Sequence, residues 1–121
     1  MVKALFDTNI LIDFLNGKEP ARQELSLYEE KAISMVTWME VMVGASDENG
    51  QATAAFLRSF RCIAIDQTVA ERAVALRRAH RLKLPDAIVW ASALAHDMVL
   101  VTRDTKDLPG NHPGIRIPYR L

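Results

Sequence analysis

Four acids in this 121-residue sequence stand where a chain of alternating strands and helices collects its chemistry. Asp7 closes an apolar run. Asp104 follows another, Val99-Leu100-Val101-Thr102. Glu40 falls one turn into a helical segment behind a third apolar run. Asp86 opens an apolar helix directly after Pro85. Gathered at one site, such carboxylates repel: two unit charges roughly 5 Å apart cost on the order of 3 kcal/mol at an effective dielectric of about 20. Either their pKa values rise or a hard cation neutralises them. An all-oxygen set suits Mg²⁺ or Mn²⁺, and such a centre supports phosphodiester hydrolysis with water as the nucleophile. A single cysteine, Cys62, and histidines at 80, 96 and 112 without ligand spacing argue against zinc. No nucleophile elbow or Gly-rich phosphate loop is present.

Each acid also has a purely structural reading. Thr37-x-x-Glu40 matches a capping box. Asp86 suits the positive end of a helix. Asp7 can cap the first helix, and Asp104 can form a turn. A cap is needed at every helix, however, but not an acid at every strand end. Asp13, Asp47, Asp66, Asp97 and Asp107 read as turn, cap or surface acids.

Strands are expected over residues 2–6, 32–36, 62–65, 99–102 and 115–117. Helices are expected over 9–17, from about 19, and over 37–45, 51–60, 67–82 and 85–96, the last apolar almost all round and hence buried. Strands alternating with helices imply an α/β fold with a parallel sheet flanked by helices. In such sheets ligands bind beyond the carboxyl ends of the strands, where three of the four acids fall.

Lys plus Arg and Asp plus Glu both number 15, so the net charge is zero. That excludes a globally basic nucleic-acid binder but leaves room for a local basic face. No apolar stretch is long enough to span a membrane, and the N-terminus turns acidic too early for a signal peptide. A single cytoplasmic domain over residues 1–121 is the expectation.

The sequence resembles the PIN-domain ribonucleases. Leu5-Phe6-Asp7-Thr8-Asn9-Ile10-Leu11-Ile12-Asp13 is similar to their first motif and Thr37-Trp38-Met39-Glu40-Val41-Met42-Val43-Gly44 to their second. Leu84-Pro85-Asp86-Ala87-Ile88-Val89-Trp90-Ala91-Ser92-Ala93 resembles the third, and Leu100-Val101-Thr102-Arg103-Asp104-Thr105-Lys106-Asp107-Leu108 the fourth. The motifs follow one another in the family's order. The short chain resembles a VapC-type toxin of a toxin–antitoxin pair.

The resemblance implies a three-layer α/β/α sandwich with a mostly parallel sheet of four or five strands. It also implies a Mg²⁺- or Mn²⁺-dependent endoribonuclease. Asp7 and Asp86 would be the principal metal ligands, and Glu40 and Asp104 would complete the site. Asn9 and Thr102 match positions that hold the acids by hydrogen bonding. A homodimer and a small DNA-binding antitoxin are the implied partners.

Arg72, Arg77, Arg78, Arg81 and Lys83 form a basic run with no acid among them. It reads either as a track for an RNA backbone or as a solvated helix face. Arg81 and Lys83, nearest Asp86, and Arg103 are the candidates for RNA contact, although Arg103 could instead pair locally with Asp104. Trp38 and Trp90 read as core or interface residues, and Met35, Met39 and Met42 with Trp38 as a dimer or antitoxin surface. The three histidines read as structural or surface residues, and Cys62 as a core thiol. Two other readings stay open: a non-catalytic RNA- or antitoxin-binding module, and another α/β phosphoryl-transfer domain. The second lacks the residues it needs, since Asn9 stands where a phosphatase would carry its second Asp.

Overall fold

The computed structural model describes residues 3–121. The elements run β1 (Ala4–Phe6), α1 (Thr8–Leu15), α2 (Glu19–Leu25), β2 (Lys31–Ser34), α3 (Met35–Gly44), α4 (Gly50–Arg58), β3 (Arg61–Ile63), α5 (Gln67–His80), α6 (Leu84–Ala95), β4 (Val99–Val101) and β5 (Ile115–Arg116). Val2, expected in the first strand, lies outside the described residues. The strands form one sheet in the order β3-β2-β1-β4-β5. Each neighbouring pair is parallel. This is the α/β architecture expected from the alternation of elements.

Alternate residues of each strand face opposite layers, as the pleat requires. Leu5, Ala32 and Leu100 join a core with Val69 and Ala73 of α5 and Ala87, Trp90 and Ala91 of α6. Ala4, Phe6, Ile33 and Val101 join a second core with Ile10 and Leu11 of α1, Leu25 of α2 and Leu57 of α4. Helix α3 contributes Val36 to the first and Val41 to the second. Burial of each large side chain is worth about 1.5–3 kcal/mol, so the two layers clamp the sheet from both faces. Chain order explains where a site can form. From β1 the chain moves outward to β2 and β3, then α5 and α6 carry it back across to β4 and β5. The direction reverses between β1 and β4, and that is where an open parallel sheet leaves a crevice.

Several expectations are corrected. Helix α3 begins at Met35 because the Ser34 hydroxyl accepts the Val36 amide at 3.2 Å. Thr37 and Glu40 therefore form no capping box: Thr37 is buried in the helix and Glu40 is exposed. Cys62 is an exposed residue of the edge strand β3, where only Ile63 is buried. Asp13 is a buried acid, 4% exposed. Asp66, by contrast, caps α5 as expected, accepting the Val69 amide at 2.9 Å.

The edge strand β5 is fastened by charge. Arg116 donates from Nε and Nη2 to the buried Glu24 of α2 at 2.6 and 2.9 Å, and the Tyr28 hydroxyl donates to the same carboxylate at 2.9 Å.

Helix α5 ends on Arg81, whose φ of 55° lies in the left-handed region. A residue with a Cβ is strained there by about 1 kcal/mol, and glycine is not. Arg81→Gly is therefore expected to raise the unfolding free energy by about 0.5–1 kcal/mol, read from urea denaturation. A lower midpoint would mean that the guanidinium makes a contact outweighing the strain.

Candidate active site

Asp7 follows β1, and its carboxylate is fixed from two sides. The Thr8 amide donates to Oδ1 at 2.8 Å, which makes Asp7 the N-cap of α1. The hydroxyl of Thr102, just beyond β4, donates to Oδ2 at 2.7 Å. Thr102 is fully buried, and its oxygen accepts the Asp104 amide at 3.0 Å and Asn9 Nδ2 at 3.3 Å. Asn9 Oδ1 in turn accepts the Arg103 amide at 3.1 Å. The structural and site readings of Asp7 thus coincide.

Glu40 projects from α3 toward the same place. The Thr8 hydroxyl donates to its Oε1 at 2.7 Å and lies 3.1 Å from the Thr37 hydroxyl. Asp104 does form a turn, since its Oδ1 accepts the amides of Lys106 and Asp107 at 3.0 Å each. That turn folds Asp107 back, and carboxylate oxygens of Asp86, Asp104 and Asp107 lie within 4.8 Å of one another. The Asp86 carboxylate accepts no hydrogen bond among the described residues.

Asp7, Glu40, Asp86, Asp104 and Asp107 line one open cleft of about 630 Å³, together with Asn9, Arg103 and Lys106. Among the candidates for RNA contact, Arg103 lines the cleft, but its guanidinium pairs with Asp13, not Asp104. Lys83 precedes α6, and Arg81 ends α5; neither lines the cleft. Sequence reasoning set aside Asp107 and missed Thr8. The spacing Asp104-x-x-Asp107, which a tight turn needs, was the available signal for the first. No local signal marks Thr8, because its partner is on another helix.

Burial pushes the Asp7 carboxyl up to about 6; the bonds from Thr102 and Thr8 oppose that, and the charges of Asp86 and Asp104 add to it. Asp86 is also raised, by partial burial first and then by Asp104, Asp107 and Glu40, against the pull of Lys83. The cleft therefore holds more negative charge than its own hydrogen bonds settle. Its donors are carboxylate oxygens with neither thiolate nor imidazole, a set that fits a hard divalent cation.

The PIN domain family matches residues 4–108. No curated protein matches with significance. Among solved structures, a chain of a toxin–antitoxin complex from Klebsiella pneumoniae is 50% identical, with a TM-score of 0.93 over 98% of this chain and 100% of that one. VapBC2 from Rickettsia felis, bound to a DNA fragment from its promoter, matches at 21% identity and TM-score 0.77, covering 95% of this chain and 96% of that one. DNA-bound VapBC from Salmonella typhimurium matches at 24% and 0.77, covering 96% of each chain. The last two likenesses are evidence of fold alone. The parallel sheet, the switch-point cleft and the family match agree: this chain belongs to the PIN-domain family.

Proposed function

We propose that the chain is a Mg²⁺- or Mn²⁺-dependent endoribonuclease and the toxin of a toxin–antitoxin pair. The observation that carries this reading is the meeting of Asp7, Glu40, Asp86 and Asp104 in one cleft at the switch point of the sheet. Half-identity to a chain of the Klebsiella complex supports the assignment to such a pair. The partners would be an RNA substrate, a small DNA-binding antitoxin and a second copy of the chain, in the cytoplasm. Exposed Met35, Trp38, Met39 and Val43 on α3 give an apolar face for a protein partner. No described helix is long and apolar enough to cross a membrane.

Asp7 and Asp86 would hold the cation, with Glu40, Asp104 and Asp107 beside them. When bound, a divalent cation supplies Lewis-acid charge for attack of water on a phosphodiester. The chain's own part is to fix the acids. Thr102 and the Thr8 amide orient Asp7, the Thr8 hydroxyl orients Glu40, and the 104–107 turn orients Asp104. Glu40 accepts one side-chain hydrogen bond, and Asp104 two main-chain ones, each on a single oxygen, which leaves the second oxygen of each carboxylate for a ligand.

RNA incubated with the purified protein is expected to be cleaved in Mg²⁺ or Mn²⁺ and spared in EDTA. Asp86→Asn should lower the rate by about a hundredfold or more, since it removes a ligand. Cleavage that survives both Asp7→Ala and Asp86→Ala would belong to a contaminant, and RNA binding without cleavage in any metal would make the chain a binding module.

The raised Asp7 pKa fixes a sign for stability. The carboxyl titrates near 6 when folded against about 3.8 in an unfolded chain. The folded state therefore holds the proton more tightly, and the metal-free protein loses stability as pH climbs through that window. The loss approaches about 3 kcal/mol above pH 6. Asp7→Asn lacks this titration, so its stability relative to wild type should rise by that order between about pH 4 and pH 7 in EDTA. Urea melts at several pH values measure it, and a pH-independent difference would mean Asp7 is not desolvated. Saturating Mn²⁺ should raise the wild-type melting temperature and shrink the difference.

A further inference from the structure

Arg103 lies between Thr102, whose buried hydroxyl holds Asp7, and Asp104, which lines the cleft, and it is held at both its ends by α1. Asn9 Oδ1 takes its amide at 3.1 Å. One turn later on the same helix, Asp13 takes its guanidinium on both oxygens, from Nε at 2.7 Å and from Nη2 at 3.0 Å. A third group completes the arrangement: the Tyr119 hydroxyl donates to Asp13 Oδ2 at 2.8 Å. The side chain of Asp13 is only 6% exposed, so this carboxylate has few water partners to replace a lost donor. Burial and the neighbouring Asp13 push the Tyr119 hydroxyl well above its ordinary pKa, which keeps it a donor through the neutral range. Its ring packs against the core shared by Phe6, Ile10 and Val101. Tyr119 stands beyond residue 108, where the family match ends.

We propose that Tyr119, acting through Asp13 and Arg103, is a positioning residue for the carboxylates of the candidate metal centre. The proposal deepens the metal-centre reading above and rests on it. Tyr119 holds Asp13 in the rotamer that receives the guanidinium fork. The fork and the Asn9 bond together fix residue 103 at side chain and main chain. Residue 103 thereby sets where the Thr102 hydroxyl meets Asp7 and where the 104–107 turn presents Asp104 and Asp107. Arg103 is kept turned away from the acids it would otherwise neutralise.

The fold supplies a matched control. Glu24 receives the Arg116 fork and the Tyr28 hydroxyl with the same chemistry, and none of the three lines the cleft. Tyr119→Phe and Tyr28→Phe each delete one hydroxyl from such a set. Both are expected to lower the melting temperature of the full chain in EDTA. Calorimetric titration with Mn²⁺ well below melting should separate them. Tyr119→Phe should weaken Mn²⁺ binding about three- to tenfold, less than the full worth of one hydrogen bond to a charged group, because Tyr119 reaches the ligands only through Asp13 and Arg103. Tyr28→Phe should leave it unchanged. Arg103→Lys, which keeps the charge and loses the fork, should resemble Tyr119→Phe. Amide hydrogen exchange at Arg103 and Asp104 should quicken in Tyr119→Phe alone. Equal Mn²⁺ affinity in wild type and Tyr119→Phe, or equal weakening in both tyrosine variants, would overturn the proposal and leave the metal centre standing. A wild-type protein that binds no Mn²⁺, or binds it undiminished in Asp86→Asn, would bring down the metal reading and the proposal with it.

Discussion

One buried hydrogen bond, from the Thr102 hydroxyl to Asp7, joins the ends of the central strand β1 and its neighbour β4, and the cleft is arranged around it. Both groups are almost wholly withdrawn from water, at 0% and 6% exposure. A hydrogen bond to a charged group is worth about 1.5–3 kcal/mol, which offsets part of the desolvation of the carboxylate and not all of it. Asp86 and Asp104 add repulsion. The outcome is a carboxyl raised to about 6, whose charged form is costly in this setting and would be favoured by any cation placed beside it. The fold does not quench this charge from within. Arg103 lines the cleft, yet its guanidinium is committed to Asp13.

The same bond explains why the order of the strands matters more than any one motif. Asp7 and Thr102 are 95 residues apart and meet only because β1 and β4 are parallel neighbours, with Phe6 in register with Val101. Had β4 paired elsewhere, Asp7 would still cap α1 and Asp104 would still form its turn. Neither would have the other's charge to contend with. The local, structural roles of these acids are real, and the crevice is superimposed on them by topology.

Much of this was legible in the sequence because it depends on periodicity and on punctuation. Short apolar runs ending in acids announced the strands and the side of the sheet on which their ends gather. The all-round apolar character of residues 85–96 announced a buried α6, six of whose residues are buried. What escaped depends on partners distant in sequence. Asp13 looked like a surface acid because nothing nearby shows that Arg103 and Tyr119 will cover it. Cys62 looked like a core residue because a strand's neighbours do not reveal that it lies at the edge of the sheet. Ser34 displaced Thr37 as the cap because a strand can run into a helix without a loop, and only the backbone decides which hydroxyl reaches an amide.

The two buried carboxylates, Asp13 and Glu24, pose a question of their own, since each is matched by an arginine fork and a tyrosine hydroxyl. Ion pairs with a buried carboxylate and a part-exposed arginine add little net stability over apolar side chains of similar volume, because desolvation of the carboxylate cancels much of the attraction. Their geometric demand is strict, however: a fork accepts a carboxylate in few orientations. Both arginines come from the β4–β5 side of the sheet and both carboxylates from α1 and α2, helices that connect β1 to β2. The pairs therefore register the later half of the chain against the earlier half, at Arg103 beside the cleft and at Arg116 away from it. Apolar packing tolerates small slips between layers, whereas a cleft of like charges does not, since moving a carboxylate by an ångström changes every repulsion in it. Fixing that register by directional bonds is what a site built from two halves of a chain requires.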